Sequence, residues 1–440
     1  MLKRFIYGYL MKDRVAKLLE MKTSRSRFVG REQIEKYQID KFNEVWDVAR
    51  KNVPFYQNWQ KCYCLPSEIK CLAELRDWPI LTKSDLRKLE MFNRKDIPRP
   101  TGMRVTGGST GEPVRIPSWP DQYSAVSQLL GRERYGVELG GRTFLLWGHR
   151  HLYGKGFLRQ IEIAKRGIKD WLADWKRFSA YDLSHAAMQK AYMSLVRYRP
   201  KYVIGFSTAV LALVRQNADK IGTVDFVETV ICSAGPLLPR ERQEIELFFN
   251  CKVCMEYGSI DCGVMAYTRP ADDKYEVFWN THLLQAKRDE KGEFRSLVTR
   301  LTSQYLPMIR YDICDYLDLQ DEDIASDARS VLVFNSVKGR PTGMVTFKSG
   351  ASFWAALIDA CVKQVPEILS AQAAVDVDNN KLVIRVTSNV NVSDDKLFLI
   401  KNRFMLSVPS AETIDVSVVQ VEQLEVTIGG KILMVVALKN

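Results

Sequence analysis

At 440 residues the chain is long enough for more than one domain, and 46% hydrophobic with 26% charged residues is the balance of a soluble globular protein. No apolar run approaches the roughly 20 residues that cross a bilayer. The net charge of +12 favours an anionic partner; with no zinc finger, RNA-recognition signature or long Lys/Arg tract, that partner is not expected to be nucleic acid.

The first residues, MLKRFIYGYLMKDR, place Leu2, Phe5, Ile6, Tyr9 and Leu10 at helical spacing among Lys3, Arg4, Lys12 and Arg14. Such a helix either docks on its own domain or lies on an anionic membrane as a peripheral contact. It lacks a small-residue cleavage site, so it is not read as a signal peptide, and a cytoplasmic location is expected. A second helix, REQIEKYQIDKFNEVWDVARK, should stop before Pro54. WPILTKSDLRK reads as a turn followed by a helix capped by Thr82, with Asp85 three residues on.

From about 143 to 350, β-rich runs (RTFLLWG, YVIGF, VETVICSAG, KVCMEYG) alternate with amphipathic stretches (STAVLALVRQNADKI, PRERQEIELFF). This strand–helix alternation predicts βαβ units and a parallel sheet, whose ligands collect at the carboxyl ends of the strands. After the breaker cluster SVKGRPTGM the texture changes to a hairpin around Asp378-Asn379-Asn380, a helix over DDKLFLIKNRFMLS and late strands. The expected fold is therefore α/β, with a large domain over 1–338, a small mobile α+β domain over 339–440 and a hinge near Arg340. Nine scattered cysteines argue against a disulfide framework. The close pairs Cys62/Cys64 and Cys251/Cys254 have no second pair to complete a zinc site, so buried free thiols are expected.

Five stretches carry chemistry. In TGGSTGEPV, Gly107, Gly108 and Gly111 let consecutive N–H groups point into one cavity, and Thr106, Ser109 and Thr110 add hydroxyls. This is a phosphate cradle or a plain surface turn. CMEYGSIDCG sets Tyr257, Gly258, Ser259 and Asp261 after a strand, an aromatic able to stack on a base near a carboxylate able to hold Mg2+, or a turn with a core tyrosine. In PMIRYDICDYLDL, Asp315 either accepts ribose hydroxyls or is an exposed loop acid. Arg340 stands at the hinge, where a guanidinium can reach ribose or phosphate. Lys431, in IGGKIL, is a point charge suited to a pentavalent phosphate, or an ordinary surface lysine.

The order of these stretches, with NVPFY and WPILTKSDLRK ahead of them, resembles the adenylate-forming superfamily of acyl-CoA ligases over nearly the whole chain. The closer resemblance is to its phenylacetate–CoA ligase branch and the CapK-like proteins of polysaccharide gene clusters. The resemblance implies a loop, Thr106 to Gly111, around the β- and γ-phosphates of ATP. It implies Tyr257 stacked on adenine beside the segment Ser233, Ala234, Gly235 and Pro236, and Asp261 linked to Mg2+. It further implies Asp315 on the ribose, Arg340 after the domain boundary and Lys431 inserted by the small domain during adenylation. The implied reaction joins a carboxylic acid to ATP as acyl-adenylate with release of pyrophosphate; the small domain then rotates and a thiol such as CoA takes the acyl group. Two other outcomes remain open: an amide-forming ligase joining an amine or amino acid to a carboxylate, including one on a capsular sugar, and a degenerate homologue without turnover. Trp147, His149, Tyr153 and Phe206 are the candidate acyl pocket, or core. Departures from the family pattern are Asp261 in place of a glutamate, Cys314 where a glycine commonly precedes the ribose aspartate, Gly343 at an acidic hinge position and Glu112 for a frequent lysine.

Overall fold

The structure, a computed structural model, describes residues 2–438 apart from 29, 89–90, 92–93, 95, 106–114, 148–156, 181–184, 238, 291, 303–304, 320–328, 340–343, 363–364, 366, 389, 409 and 426–433. The chain is mixed α/β, as expected, and divides into two units. The first comprises Met1–Gly107, Pro113–Gly140 and Cys254–Lys338; the second is chiefly Gly141–Val253 and Gly339–Asn440.

The first unit opens with four helices, α1 (Leu2–Leu10), α2 (Lys12–Arg27), α3 (Arg31–Asn52) and α4 (Pro54–Cys62). In α1, Tyr7 packs at Gly140 while Ile6, Tyr9 and Leu10 are exposed; Met11, just beyond it, is buried. One stripe of α3, Phe42, Val45, Trp46 and Ala49, is buried at the spacing expected of an amphipathic helix. Pro54 follows the end of α3 and opens α4, where its missing N–H costs nothing. The helix expected after Thr82 is one 3-10 turn, Asp85–Arg87. Its cap is nonetheless present: Asp85 Oδ2 accepts from the Thr82 backbone N–H at 2.9 Å and lies 2.6 Å from the Thr82 hydroxyl. A capping box satisfies the first N–H groups of a helix but does not by itself propagate it. Just upstream, Leu81 instead bridges to Tyr311, so WPIL runs as an extended segment.

A hairpin of β1 (Gly102–Val105) and β2 (Arg115–Ser118) leads into α5 (Gln122–Glu133), capped by Asp121, which accepts from Ser124 N–H at 3.1 Å. With strands numbered along the whole chain, β7 (Val253–Ser259), β8 (Gly263–Thr268), β9 (Tyr275–Val277) and β13 (Val333–Phe334) lie side by side in the order 13-9-8-7. A second sheet has β10 (His282–Arg288), β11 (Phe294–Arg300), β12 (Tyr311–Asp318) and β14 (Ser336–Gly339) in sequence order.

In the second unit β3 (Thr143–Leu146), β4 (Trp175–Phe178), β5 (Tyr202–Phe206) and β6 (Thr229–Ser233) are parallel, ordered 6-5-3-4. Helices α6 (Phe157–Ala173), α7 (His185–Tyr198), α8 (Ser207–Arg215) and α9 (Pro239–Phe249) alternate with them, the βαβ pattern anticipated from the alternating runs. Gly205 lets α8 follow β5 closely: a Cβ there would lie 2.7 Å from Val210 Cγ2 and 2.9 Å from Leu146 Cβ. Toward the C-terminus, β17 (Ile368–Asp376) and β18 (Lys381–Ser388) form the expected hairpin, and α11 (Asp394–Ser407) the expected helix. In this C-terminal stretch Phe353, Ile384, Ile400 and Phe404 belong to one apolar cluster. The cysteines are free thiols; Cys254 is buried and Cys251 half-buried, but Cys62 and Cys64 are exposed, contrary to expectation. They sit at the end of the short helix α4, whose buried face is Phe55, Tyr56 and Trp59.

Candidate active site

Two strand irregularities in the first unit shape the site. On the β7–β8 ladder Tyr257 pairs with Ala266 but Gly258 with Val264, so one residue of β8 is bulged. The backbones approach so closely there that a Cβ on Gly258 would lie 2.6 Å from the Gly263 carbonyl oxygen. On the β11–β12 ladder Arg295 pairs with Tyr316 and Leu297 with Asp312, leaving Ile313, Cys314 and Asp315 opposite Ser296 alone. Cys314, which stands where the family resemblance implies a glycine, takes the left-handed conformation, φ +62°. The side chain of Asp312 offsets that cost by accepting from Cys314 N–H at 2.8 Å while pairing with Arg295. The bulge turns Asp315 out of the ladder, and Ser296 Oγ donates to the Asp315 carbonyl at 3.0 Å.

The two expected carboxylates are thereby tied to the opposite segment by tyrosines running in opposite senses. Tyr257 Oη, from β7, donates to Asp315 Oδ2 at 3.2 Å; Tyr311 Oη, from β12, donates to Asp261 Oδ2 at 2.8 Å, in the turn after β7. The Tyr257 ring is 7% exposed, with Tyr275 and Phe334 edge-on at 6.2 and 5.7 Å. Burial, then the neighbouring aspartate, raises the pKa of both tyrosines, so both remain protonated donors. Asp261 and Asp315 themselves are half-buried.

A basic and acidic shell surrounds this pair. Arg104, at the end of β1, donates through Nε to Ser118 Oγ at 3.0 Å and through Nη1 to the Ile260 carbonyl at 3.4 Å, next to Asp261. Arg300 pairs with Asp121 at 2.6 Å. His282 is buried, with Nε2 2.9 Å from the Cys262 carbonyl and Nδ1 2.9 Å from Thr281 Oγ1. This geometry assigns the proton to Nε2. Burial lowers its pKa to about 4, making it a neutral strut rather than a base. Burial likewise pushes the Cys262 thiol up to about 12, so this thiol beside Asp261 is no nucleophile at neutral pH.

In the second unit the carboxyl ends of β3, β5 and β6 bring together Trp147, Phe206 and the turn after Ser233. The Trp147 and Phe206 rings lie 4.8 Å apart, tilted by 56°. Ser207 Oγ reaches the Ser233 and Gly235 carbonyls at 3.2 and 2.7 Å, and Ala234 is left-handed, φ +68°. A Cβ on Gly235 would meet nothing within 4 Å, so the Ala234–Pro236 backbone is open on that side. The remaining expected residues, Thr106 to Gly111, His149, Tyr153, Arg340 and Lys431, lie outside the described residues. Ser259, the last residue of β7, accepts from Cys262 N–H at 3.0 Å and so shapes the turn that holds Asp261.

No protein-family model matches the chain. It is similar to CapK of Staphylococcus aureus, 24% identical over 289 residues, 65% of this chain. That similarity spans 63% of CapK, less than two thirds of its length. Phenylacetate-coenzyme A ligase of Aromatoleum evansii is 22% identical over 83% of this chain and 84% of its own. The structure resembles 2-hydroxyisobutyryl-CoA ligase in complex with 2-HIB-AMP and CoA in the thioesterification state, with TM-score 0.58 and 15% identity over 92% of this chain and 89% of that one. An open conformation of the same ligase gives TM-score 0.56 with 92% of both chains covered. The chain thus shares the fold of these adenylate-forming ligases and is similar in sequence to CapK and to phenylacetate-coenzyme A ligase.

Tyr311, Arg104 and the Arg300–Asp121 pair were not singled out from the sequence. Tyr311 had a signal: it lies four residues before Asp315, on the strand that the family resemblance already marked. Arg104 adjoins the glycine-rich loop but carries no motif of its own. Its relation to Ile260 appears only when β1 is placed beside the β7–β8 turn.

Proposed function

We propose that the protein is an ATP-dependent ligase that activates a carboxylic acid as its acyl-adenylate and passes the acyl group to a thiol such as CoA. The observation that supports this most is the crossed pair of tyrosine–aspartate bonds, Tyr257 to Asp315 and Tyr311 to Asp261, in a chain with the adenylate-forming fold. Each carboxylate accepts a hydrogen bond from a neutral tyrosine hydroxyl, which orients it without transferring a proton to it. Asp315 would then accept the ribose hydroxyls, with Tyr257 fixing its rotamer and stacking on the adenine. By the family resemblance, the backbone of Ala234, Gly235 and Pro236 is assigned to the adenine and Trp147 with Phe206 to the acyl group.

Among the described residues no group of three or more His, Cys, Asp or Glu forms a metal cage. A single hard carboxylate is nevertheless the donor that Mg2+ uses when phosphates and water complete its shell, and Asp261 fits that pattern. Bound there, the ion would neutralise charge on the phosphates. The glycine-rich loop Thr106 to Gly111 would direct N–H groups at the β- and γ-phosphates, and Arg340 and Lys431 would add the cations that stabilise the pentavalent α-phosphorus. The acid's oxygen attacks that phosphorus, the bond to pyrophosphate breaks, and the acyl carbon becomes an electrophile for the thiolate, which releases AMP. The location that suits ATP, CoA and nine reduced thiols is the cytoplasm.

The test is acid-dependent formation of AMP from ATP, followed by competition between CoA and amines for the intermediate. Thioester formation supports the reading. An amide as the sole product would keep adenylation but replace the thiol by an amine, with a glycan-linked carboxylate as a candidate acid. AMP formation that ignores added acid would refute it.

A further inference from the structure

Among its described side chains, helix α6 turns a charged pair inward and an apolar stripe outward. Its inward face holds an ion pair: Asp170, buried, accepts from Arg177 of β4 at 2.7 and 2.8 Å, with Arg166 at 3.7 Å. Its outward face is apolar. Ile163, Ala164, Gly167, Ile168 and Trp171 follow the i, i+1, i+4, i+5, i+8 spacing of one helix stripe, and all are exposed, Ile168 and Trp171 each at 61%. The exposed Lys165 and Lys169 run along one edge of the stripe. Burying a charge pair while exposing isoleucines and a tryptophan is the opposite of what folding alone selects, so the stripe is shaped for something outside the unit.

We propose that α6 is an interfacial helix that docks the protein on an anionic lipid surface. Tryptophan and isoleucine are suited to the headgroup–acyl boundary, and the flanking lysines are suited to acidic headgroups. Charge complementarity selects this occupant over a second copy of the chain: the lysine edges of two copies would repel, and each chain carries +12. No helix among the described residues is long and apolar enough to cross a membrane, so the contact is peripheral. The exposed Tyr9 and Leu10 of α1 are the competing attachment point on the same chain.

The experiment is flotation of the full chain with vesicles of phosphatidylcholine alone or with phosphatidylglycerol added. Wild type should bind the acidic vesicles roughly tenfold or more tightly than the neutral ones, since each lysine at such a surface contributes about one kcal/mol, and raised salt should weaken it. Ile168→Ser with Trp171→Ser, and separately Lys165→Glu with Lys169→Glu, should lose that binding with unchanged circular dichroism and unchanged acid-dependent AMP formation. Tyr9→Ser with Leu10→Ser should keep it. Equal binding to both vesicles, no binding, or loss only in the Tyr9/Leu10 variant overturns the proposal. A dimer by light scattering that the Ile168/Trp171 variant splits overturns it too, and gives the stripe to a second copy.

Discussion

Asp315→Ala separates stability from function at the crossed tyrosine–aspartate pair. The substitution removes the acceptor of the Tyr257 hydroxyl, which is 3.2 Å away on an almost fully buried ring. A buried hydroxyl deprived of its partner costs about 1–3 kcal/mol, and Ser296, also in hydrogen-bonding reach of that hydroxyl, places the loss near the lower end. Function should suffer more. Hydrogen bonds to a charged carboxylate are each worth about 1.5–3 kcal/mol, so losing one from ribose raises the KM for ATP roughly 10- to 150-fold. Tyr257→Phe combined with Asp315→Ala removes donor and acceptor together, which is close to neutral for stability. Urea unfolding and acid-dependent AMP formation, measured on both variants, should therefore diverge. The double variant should regain stability to within about 0.5 kcal/mol of wild type, while its KM for ATP stays as high as in the single one. An Asp315→Ala protein with the wild-type KM, or a double variant that recovers it, refutes the assignment of Asp315 to the ribose.

Three further perturbations probe the frame around this pair. His282 is neutral when folded, with a pKa of about 4 against an ordinary 6.5. The unfolded chain binds its proton first, so stability should fall by about 3 kcal/mol between pH 7 and pH 4, and His282→Gln should flatten that slope in urea titrations. For Asp121, burial disfavours the charge, but Arg300 and the Ser124 N–H outweigh it and lower the pKa. Its contribution is thus present above the ordinary carboxylate range and disappears as pH falls below it; Asp121→Ala, which strands Arg300, should cost about 3–5 kcal/mol at pH 7. Gly258→Ala places a Cβ 2.6 Å from a backbone oxygen and should destabilise by about 1–3 kcal/mol, read as a lowered Tm with reduced adenylation.

The parallel strands were legible because RTFLLWG, YVIGF and VETVICSAG are short apolar runs between amphipathic helices, and such runs have few other places to go than a buried sheet. What periodicity could not carry was irregularity. The bulge that turns Asp315 out of β12 depends on Cys314 adopting a left-handed backbone, which nothing local to a cysteine announces. Tyr311 meets Asp261 across 50 residues of sequence, a contact that only the tertiary fold makes. The helix expected after Thr82 is a second case: its cap is in place, but the described helical turn ends at Arg87. Helix α6 shows the limit most plainly. Its apolar spacing is that of an ordinary core-facing helix, and only the position of Arg177 on the next strand reveals that the charged face points inward.

The central claim is adenylate formation, and ATP–pyrophosphate exchange over a panel of carboxylic acids tests it most directly when wild type and Lys431→Ala are run side by side. The account predicts exchange that requires one class of acid and falls by orders of magnitude in Lys431→Ala without loss of folding. Undiminished exchange in Lys431→Ala would contradict the role of that lysine; no exchange with any acid, in a protein that still binds ATP, would contradict adenylation itself.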